Sequence, residues 1–456
     1  MIKNNFLALC SLLQSVYCRC FPIGTINRIT SISILSLLPI VANAGVLNLQ
    51  QAIDKAISED EWLTSSQKKE SAIRSLSSGM TALPDPKISV GLLNMPTDSF
   101  DFNQEAMTQF SVSISQMFPA GDTLRLVGEK YAVEGDQLPL MRINRRAMLT
   151  MDISNLWLTA YNVEEKIKLV QQNKALFEQL HDVVESGYSS AYGRSKQQDL
   201  VRSELELIKL DHQLAQLQHA KENALQKMSQ YILPNSFSQQ SNDNFSLKTN
   251  RESFSFARYQ LIRSDLLASR LSYHPLVRIV EVQSNAAELG KNIAEQKYKP
   301  EWGVTLGYSH RDDDLSGNDR SDLASVAVSV SLPIFSSRRQ DAQVKASTLQ
   351  VESLISEKQL VVNELAAKYR VLTSDIDQLD HHIHLYESKL LPGFRESAQA
   401  MLNAYTSNDG DFSNVVQARI ATLNAHIELL NIRTDRFKRL AELNYVMTQS
   451  DEVTVK

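Results

Sequence analysis

The chain is written twice, and that repetition restricts its fold more than any local pattern does. Asp85-Pro86-Lys87-Ile88-Ser89-Val90-Gly91-Leu92 has a counterpart in Lys299-Pro300-Glu301-Trp302-Gly303-Val304-Thr305-Leu306. Phe110-Ser111-Val112-Ser113-Ile114-Ser115 matches Val326-Ala327-Val328-Ser329-Val330-Ser331, and Gln198-Asp199-Leu200-Val201-Arg202 matches Ser413-Asn414-Val415-Val416-Gln417. Three matches in one order, all at a spacing of about 215 residues, mark an internal duplication. Each copy reads as a helix, two strands, a very long helix, a tight break and a long return helix. The first copy is expected over residues 45–232, with strands at about 86–95 and 107–118. The second is expected over 259–449, with strands at about 301–311 and 323–333. Residues 233–258, rich in Ser, Asn and Gln at their start, read as a linker, and 450–456 as a tail.

The strand segments alternate cleanly. Phe110, Val112 and Ile114 point one way and Ser111, Ser113 and Ser115 the other; Val326, Val328, Val330 and Leu332 repeat this against Ala327, Ser329 and Ser331. Trp302, Val304, Leu306 and Tyr308 form an apolar face opposite Gly303, Thr305, Gly307 and Ser309. A soluble sandwich would also alternate. Segments of about ten residues, the span of a tilted membrane strand, and a face of small hydroxyls suited to a wet lumen favour a membrane barrel. The acidic, polar turns at 96–105 and 311–322 suit loops outside the cell. Four such strands cannot close a barrel, and an open edge in lipid leaves unpaired backbone groups costing several kcal/mol each. The subunit must therefore oligomerise, and three copies would supply about twelve strands.

The helical parts are long. Residues 338–391 contain no Gly or Pro, enough for roughly 80 Å of helix. The return helices carry coiled-coil spacing: Leu210, Leu214, Leu217, Ala224, Met228 and Tyr231 in one copy, and Val416, Ile420, Leu423, Ile427 and Leu430 in the other. Each should pack antiparallel on the helix before it. At 135–139, Pro139 should kink or break the first long helix. Arg142, Arg145 and Arg146 form a basic cluster, read as a solvated face or an intersubunit salt-bridge partner. Asp377, Asp380, His381 and His384 share a helix face, so Asp377, His381 and His384 are weak metal candidates; solvated side chains are the better reading, because no closed tetrahedral set is visible.

The ends suggest export. An apolar run at 32–41 after Arg28, followed by Ala42-Asn43-Ala44, reads as a signal peptide with an extended N-region, cleaved before Gly45. All three cysteines, Cys10, Cys18 and Cys20, fall in that leader. The remainder then has no disulfide or thiol chemistry. After the leader no run of about 18 apolar residues occurs. The net charge of −5, with Lys and Arg dispersed, argues against nucleic acid as a partner. No glycine-rich phosphate loop, Gly-x-Ser-x-Gly elbow or His-Glu-x-x-His pair is present, so no enzyme activity and no cofactor are expected.

This arrangement resembles the TolC family of outer-membrane efflux proteins, including the heavy-metal and drug export members. The resemblance is carried by Leu47-Asn48-Leu49-Gln50-Gln51-Ala52-Ile53, the paired strand segments, and the helical breaks near Tyr192-Gly193 and at 405–412. It implies a mainly α fold with membrane β: a trimeric twelve-stranded barrel continuous with an α-helical coiled-coil tunnel. It further implies a location in the outer membrane of a Gram-negative bacterium, in contact with lipid. A periplasmic adaptor and an inner-membrane pump of the RND type would be partners. Tyr405 and Asn408 match the family's tip pattern, Asn replacing a glycine. Asn414 and Gln417 stand where relatives place constricting aspartates, and the acid here lies at Asp409 and Asp411. In the first copy Ser190, Gly193, Gln197 and Asp199 fit a tip that meets the adaptor. The function implied is a passive efflux conduit, with heavy-metal cations as preferred cargo; drug efflux and type I protein secretion remain alternatives. A soluble periplasmic coiled-coil scaffold is the alternative from another class.

Overall fold

The structure is a computed structural model, describing residues 48–190, 195–232, 264–314, 316–407 and 409–450. The chain divides into two compact units, Met1–Ala44 and Gly45–Lys456. The first, with the expected leader and its cysteines, lies outside the described residues. So do the linker at 233–258, Leu47, Tyr192, Gly193, Asn408 and all of the tail but Ser450.

Each copy opens on two short helices rather than one. In the first copy these are α1 (Leu49–Ser58) and α2 (Glu61–Gly79); in the second, α5 (Ser264–Leu271) and α6 (Pro275–Gln296). A side chain that caps the second helix makes each break. Asp60 accepts from the Trp62 amide at 3.3 Å, and His274 Nδ1 accepts from the Leu276 amide at 3.2 Å, with Pro275 at the helix start. Helix α1 starts on a reciprocal cap: Asn48 accepts from the Gln51 amide at 2.8 Å, and the Gln51 side chain accepts from the Asn48 amide at 3.0 Å. Its face Leu49, Ala52, Ile53 and Ala56 is buried against Ile153, Trp157 and Ala160 and against Ala224, Met228 and Ile232.

The strands β1 (Lys87–Leu93), β2 (Gln109–Phe118), β3 (Glu301–His310) and β4 (Leu323–Ser331) form one antiparallel sheet in the order β1-β2-β3-β4. The β2–β3 ladder joins the two copies. From β2 the chain enters α3 (Thr123–Ser189) and returns along α4 (Gln197–Ile232). From β4 it enters α7 (Ser336–Leu385), passes a π turn at Tyr386–Leu390, continues as α8 (Leu391–Thr406) and returns along α9 (Phe412–Val446). The glycine-free run is thus helical throughout. The wider turn lies just ahead of Pro392, which supplies no N–H.

Both return helices run antiparallel to their predecessors. Lys221 reaches Glu164 and Lys174 reaches Asp211, at 3.7 and 2.6 Å. In the second copy Arg439 reaches Asp375 at 3.4 Å, and Arg436 and Arg433 bind Asp380 and Glu387. The expected seam is the packed one: Leu210, Ala224, Met228, Val416 and Leu423 are buried, and Leu214, Leu217, Tyr231, Ile420 and Ile427 are partly so.

Two expectations are corrected. Helix α3 does not break at Pro139. Leu138 is buried, and the flanks are clamped to α2 through Arg142 to Glu70 at 2.6 Å and Arg145 to Asp60 at 2.9 Å. These contacts outweigh a proline cost of about 3 kcal/mol. Those same pairs place Arg142 and Arg145 in salt bridges within the chain rather than on a solvated face. Burial raises the Glu70 carboxyl, but hydrogen bonds from Arg142 and Arg74 lower it by more, leaving it below the usual range.

Candidate functional site

Two features of the fold bear on function, the sheet and the far ends of the long helices. In the sheet, partners across the ladders share a face, so the registers sort the side chains into rows. Ile88, Ile114, Leu306 and Val326 make one row, and Val90, Val112 and Tyr308 the next. On the other face Ser89, Ser113, Gly307 and Ser325 line up, beside Gly91, Ser111 and Ser309. The apolar rows are the exposed ones, with Ile88 at 70% and Val326 at 74%. The small face is crowded: a Cβ on Gly303 would come within 2.5 Å of Ser329 Oγ, and one on Gly307 within 2.6 Å of Ser325 Oγ. Close approach on that side requires glycine. A sheet with its greasy face bare and its hydroxyls crowded together is inside out for a soluble protein and correct for a wall between lipid and water.

Among the described residues, no strand lies beyond the edges β1 and β4. The two connecting loops at one end are tied together, Arg320 donating to the Glu105 carbonyl at 3.2 Å and Arg311 to the Ala106 carbonyl at 3.5 Å. Among the described residues no helix is long and apolar enough to cross a membrane.

At the other end, the tips of the two copies meet. The Tyr405 hydroxyl lies 3.4 Å from Ser195 Oγ, and its ring packs on Phe412 with centroids 5.6 Å apart. Phe412 is buried with Val170, Phe177, Val184, Leu210, Val416 and Leu423, which closes the helical ends around one apolar cluster. Ser195 and Phe412 were not among the residues singled out from sequence; the apolar residue opening α9 right after Asp411 was the available signal. Asp409 and Asp411 are exposed. The Asp409 amide donates to the Ala404 carbonyl at 2.9 Å, and Asp411 precedes α9 with its carboxylate free of any capping hydrogen bond. Asn414 and Gln417 are exposed on the first turns of α9. In the first copy Ser190 ends α3, bonding the Gly187 carbonyl at 3.3 Å, and Gln197 is exposed at the start of α4. Asp199 is used locally, accepting from the Lys196 amide at 3.0 Å.

Among the described residues no group of three or more His, Cys, Asp or Glu side chains is placed to hold a metal ion. Asp380 is bound by Arg436, and His381 and His384 are exposed on α7.

The fold has close counterparts of known structure. A structure of CusC, described with conformational changes accompanying folding and transmembrane channel formation, aligns with a TM-score of 0.72 at 15% identity, over 88% of this chain and 92% of that one. The outer membrane protein VceC of Vibrio cholerae aligns at 0.69 and 12% identity, over 88% and 97%. The open-state MtrE outer membrane channel of Neisseria gonorrhoeae aligns at 0.69 and 15%, over 94% and 98%. No curated protein matches the sequence significantly. The fold is therefore that of these structures, a four-stranded sheet continued by long antiparallel helix pairs. Residues 266–447, the core of the second copy, match the family described as outer membrane efflux protein. That match lies within one copy, and the fold of the described chain is similar to that of the channel structures above.

Proposed function

We propose that this protein is the outer-membrane channel of a tripartite efflux system, a passive conduit across the periplasm and the outer membrane of a Gram-negative bacterium. The observation that carries it is the sheet: an exposed apolar face, a crowded hydroxyl face and two free edges. Unpaired strand edges are not tolerated in hydrocarbon, so β4 of one chain must pair with β1 of another until the wall closes. Three chains give a barrel of about twelve strands with an open lumen. The antiparallel helix pairs then continue the lumen as a tunnel into the periplasm, and their tips meet a periplasmic adaptor and an inner-membrane pump, read as RND type. The pump supplies the energy, and the channel performs no chemistry of its own.

Heavy-metal cations are the cargo class we favour. The resemblance noted from sequence supports this, as do Asp409 and Asp411, exposed at the tip in each of three subunits.

The experiment is extraction and reconstitution. The expected result is a protein that requires detergent, has the mass of a trimer and forms cation-preferring conductance steps in planar bilayers. A water-soluble monomer without affinity for bilayers would overturn the channel. A trimeric channel whose deletion leaves metal tolerance unchanged while lowering drug tolerance would overturn the cargo class alone.

A further inference from the structure

The two copies treat the break between their opening helices differently. Asp60 and Tyr231 of the first copy have His274 and Tyr445 as counterparts at the repeat spacing. In the second copy a ring fills the break. The His274 imidazole caps α6 through the Leu276 amide, is fully buried, and stands edge-on to the Tyr445 ring with centroids 5.5 Å apart. In the first copy Asp60 makes the same cap to the Trp62 amide, but its carboxylate turns to Arg145, at 2.9 and 3.3 Å. A carboxylate is shorter than an imidazole, and a cavity of about 220 Å³ lies beside Tyr231, bounded by α1, α3 and the end of α4.

The cavity has an apolar floor and an acidic mouth. Ala56 of α1 and Leu149 of α3, each 1% exposed, form the floor, and Tyr231 forms a wall. Glu59 and Glu61 are exposed on either side of Asp60. Asp60 and Arg145 neutralise each other, so the charge left at the mouth is that of the two glutamates. Carboxylates alone would accept any cation, but the floor discriminates. A hydrated metal ion gains nothing from Leu149 and Ala56, whereas a flat apolar group gains by leaving water there and by meeting the Tyr231 ring. An ammonium attached to that group is held by the carboxylates through charge-assisted hydrogen bonds. The volume lies below the roughly 300 Å³ at which sites for drug-sized ligands begin, which limits the occupant to one ring with a short chain.

We propose that this cavity binds a small aromatic amine, its ring against Tyr231 and Leu149 where the second copy places the His274 imidazole, and its ammonium at Glu59 and Glu61. The site is built within one chain and goes beyond the channel reading, which neither requires it nor falls with it.

Phenethylamine is the probe, titrated by calorimetry into detergent-solubilised full-length protein with empty micelles subtracted. One saturable site per chain is expected, with a Kd on the order of 1 mM, the range open to a ligand of about nine non-hydrogen atoms. Phenylacetate, which has the same ring and the opposite charge, should bind at least about tenfold more weakly, and Glu59→Gln with Glu61→Gln should weaken phenethylamine by a similar factor. Both glutamates are exposed, so that variant keeps its fold. Asp60→His, with helix content unchanged, should block the site as His274 fills its counterpart. No saturable binding, equal binding of amine and acid, or binding undiminished in the glutamine variant would overturn the proposal. Undiminished binding in a folded Asp60→His protein would count against the shared position of the ring. Magnesium chloride that binds with the same dependence on Glu59 and Glu61, where the amine does not bind, would assign the mouth to a metal ion instead. None of these results alters the trimer mass or the bilayer conductance expected of the channel, so the two readings fail separately.

Discussion

His274 shows how a single side chain joins two distant parts of the sequence. It is fully buried at the start of α6, its Nδ1 accepting from the Leu276 amide and its Nε2–H donating to the Tyr445 carbonyl at 3.2 Å, with the Tyr445 ring edge-on. Burial pushes the imidazole down to about 4, helped by nearby Lys368 and opposed by the Tyr445 carbonyl. The unfolded chain takes up a proton near the ordinary value of 6.5 that the folded chain refuses until about 4. The contribution of His274 is therefore complete above pH 6.5 and is lost as pH falls between these values, by ~3 kcal/mol at most. Replacing His274 with Gln should flatten that part of the pH profile of thermal unfolding, followed by helical circular dichroism. Equal slopes in both proteins would refute it. Asn162 is a second such residue, a buried amide tying α3 to α9. Thr434→Val removes its shortest acceptor and should cost about 1 kcal/mol, the net value of one hydrogen bond, because Asn431 Oδ1 at 3.3 Å still accepts. An unchanged unfolding midpoint would show that the amide had re-paired.

Elements in this fold are defined by which face they leave uncovered. The sheet leaves its apolar rows bare, so in the proposed channel a charge placed there would meet lipid, whereas the same charge on the hydroxyl face would meet water. Val112→Arg, flanked by Val90 and Tyr308, should cost about 2–4 kcal/mol and reduce insertion into outer membranes. Ser113→Arg, one residue along, should insert normally and alter conductance. Equal insertion of the two variants would mean the faces have been assigned the wrong way round. Helix α3 shows the reverse case, in which cover rescues a poor local sequence. Pro139 should interrupt a bare helix, but α2 alongside, with Glu70 and Asp60 bound to Arg142 and Arg145, keeps the helix continuous.

The whole molecule works through its ends. At the tip, Tyr405 and Phe412 bring the two copies together and leave Asp409 and Asp411 in water. Two carboxylates from each of three subunits around one opening would repel anions and concentrate cations. Asp409→Ala with Asp411→Ala should therefore lower the cation selectivity of the reconstituted pore without changing its assembly. Single-channel selectivity indistinguishable from the parent would place these side chains outside the permeation path.

Much of this architecture could be read from the chain alone, because duplication and periodicity are properties of sequence. The paired segments around Ser89 and Gly303, the alternation through Val112 and Val328, and the seams at Leu210 and Val416 follow from which residues repeat and at what interval. Those intervals are the geometry of strand and helix themselves. Contacts between residues far apart in sequence were not legible: Tyr405 with Ser195, Arg142 with Glu70, and His274 with Tyr445 depend on how the long helices settle against one another. A helical pattern shows which face is apolar but not which neighbour covers it. The continuity of α3 through Pro139 and the destination of the arginines were therefore decided only by tertiary packing.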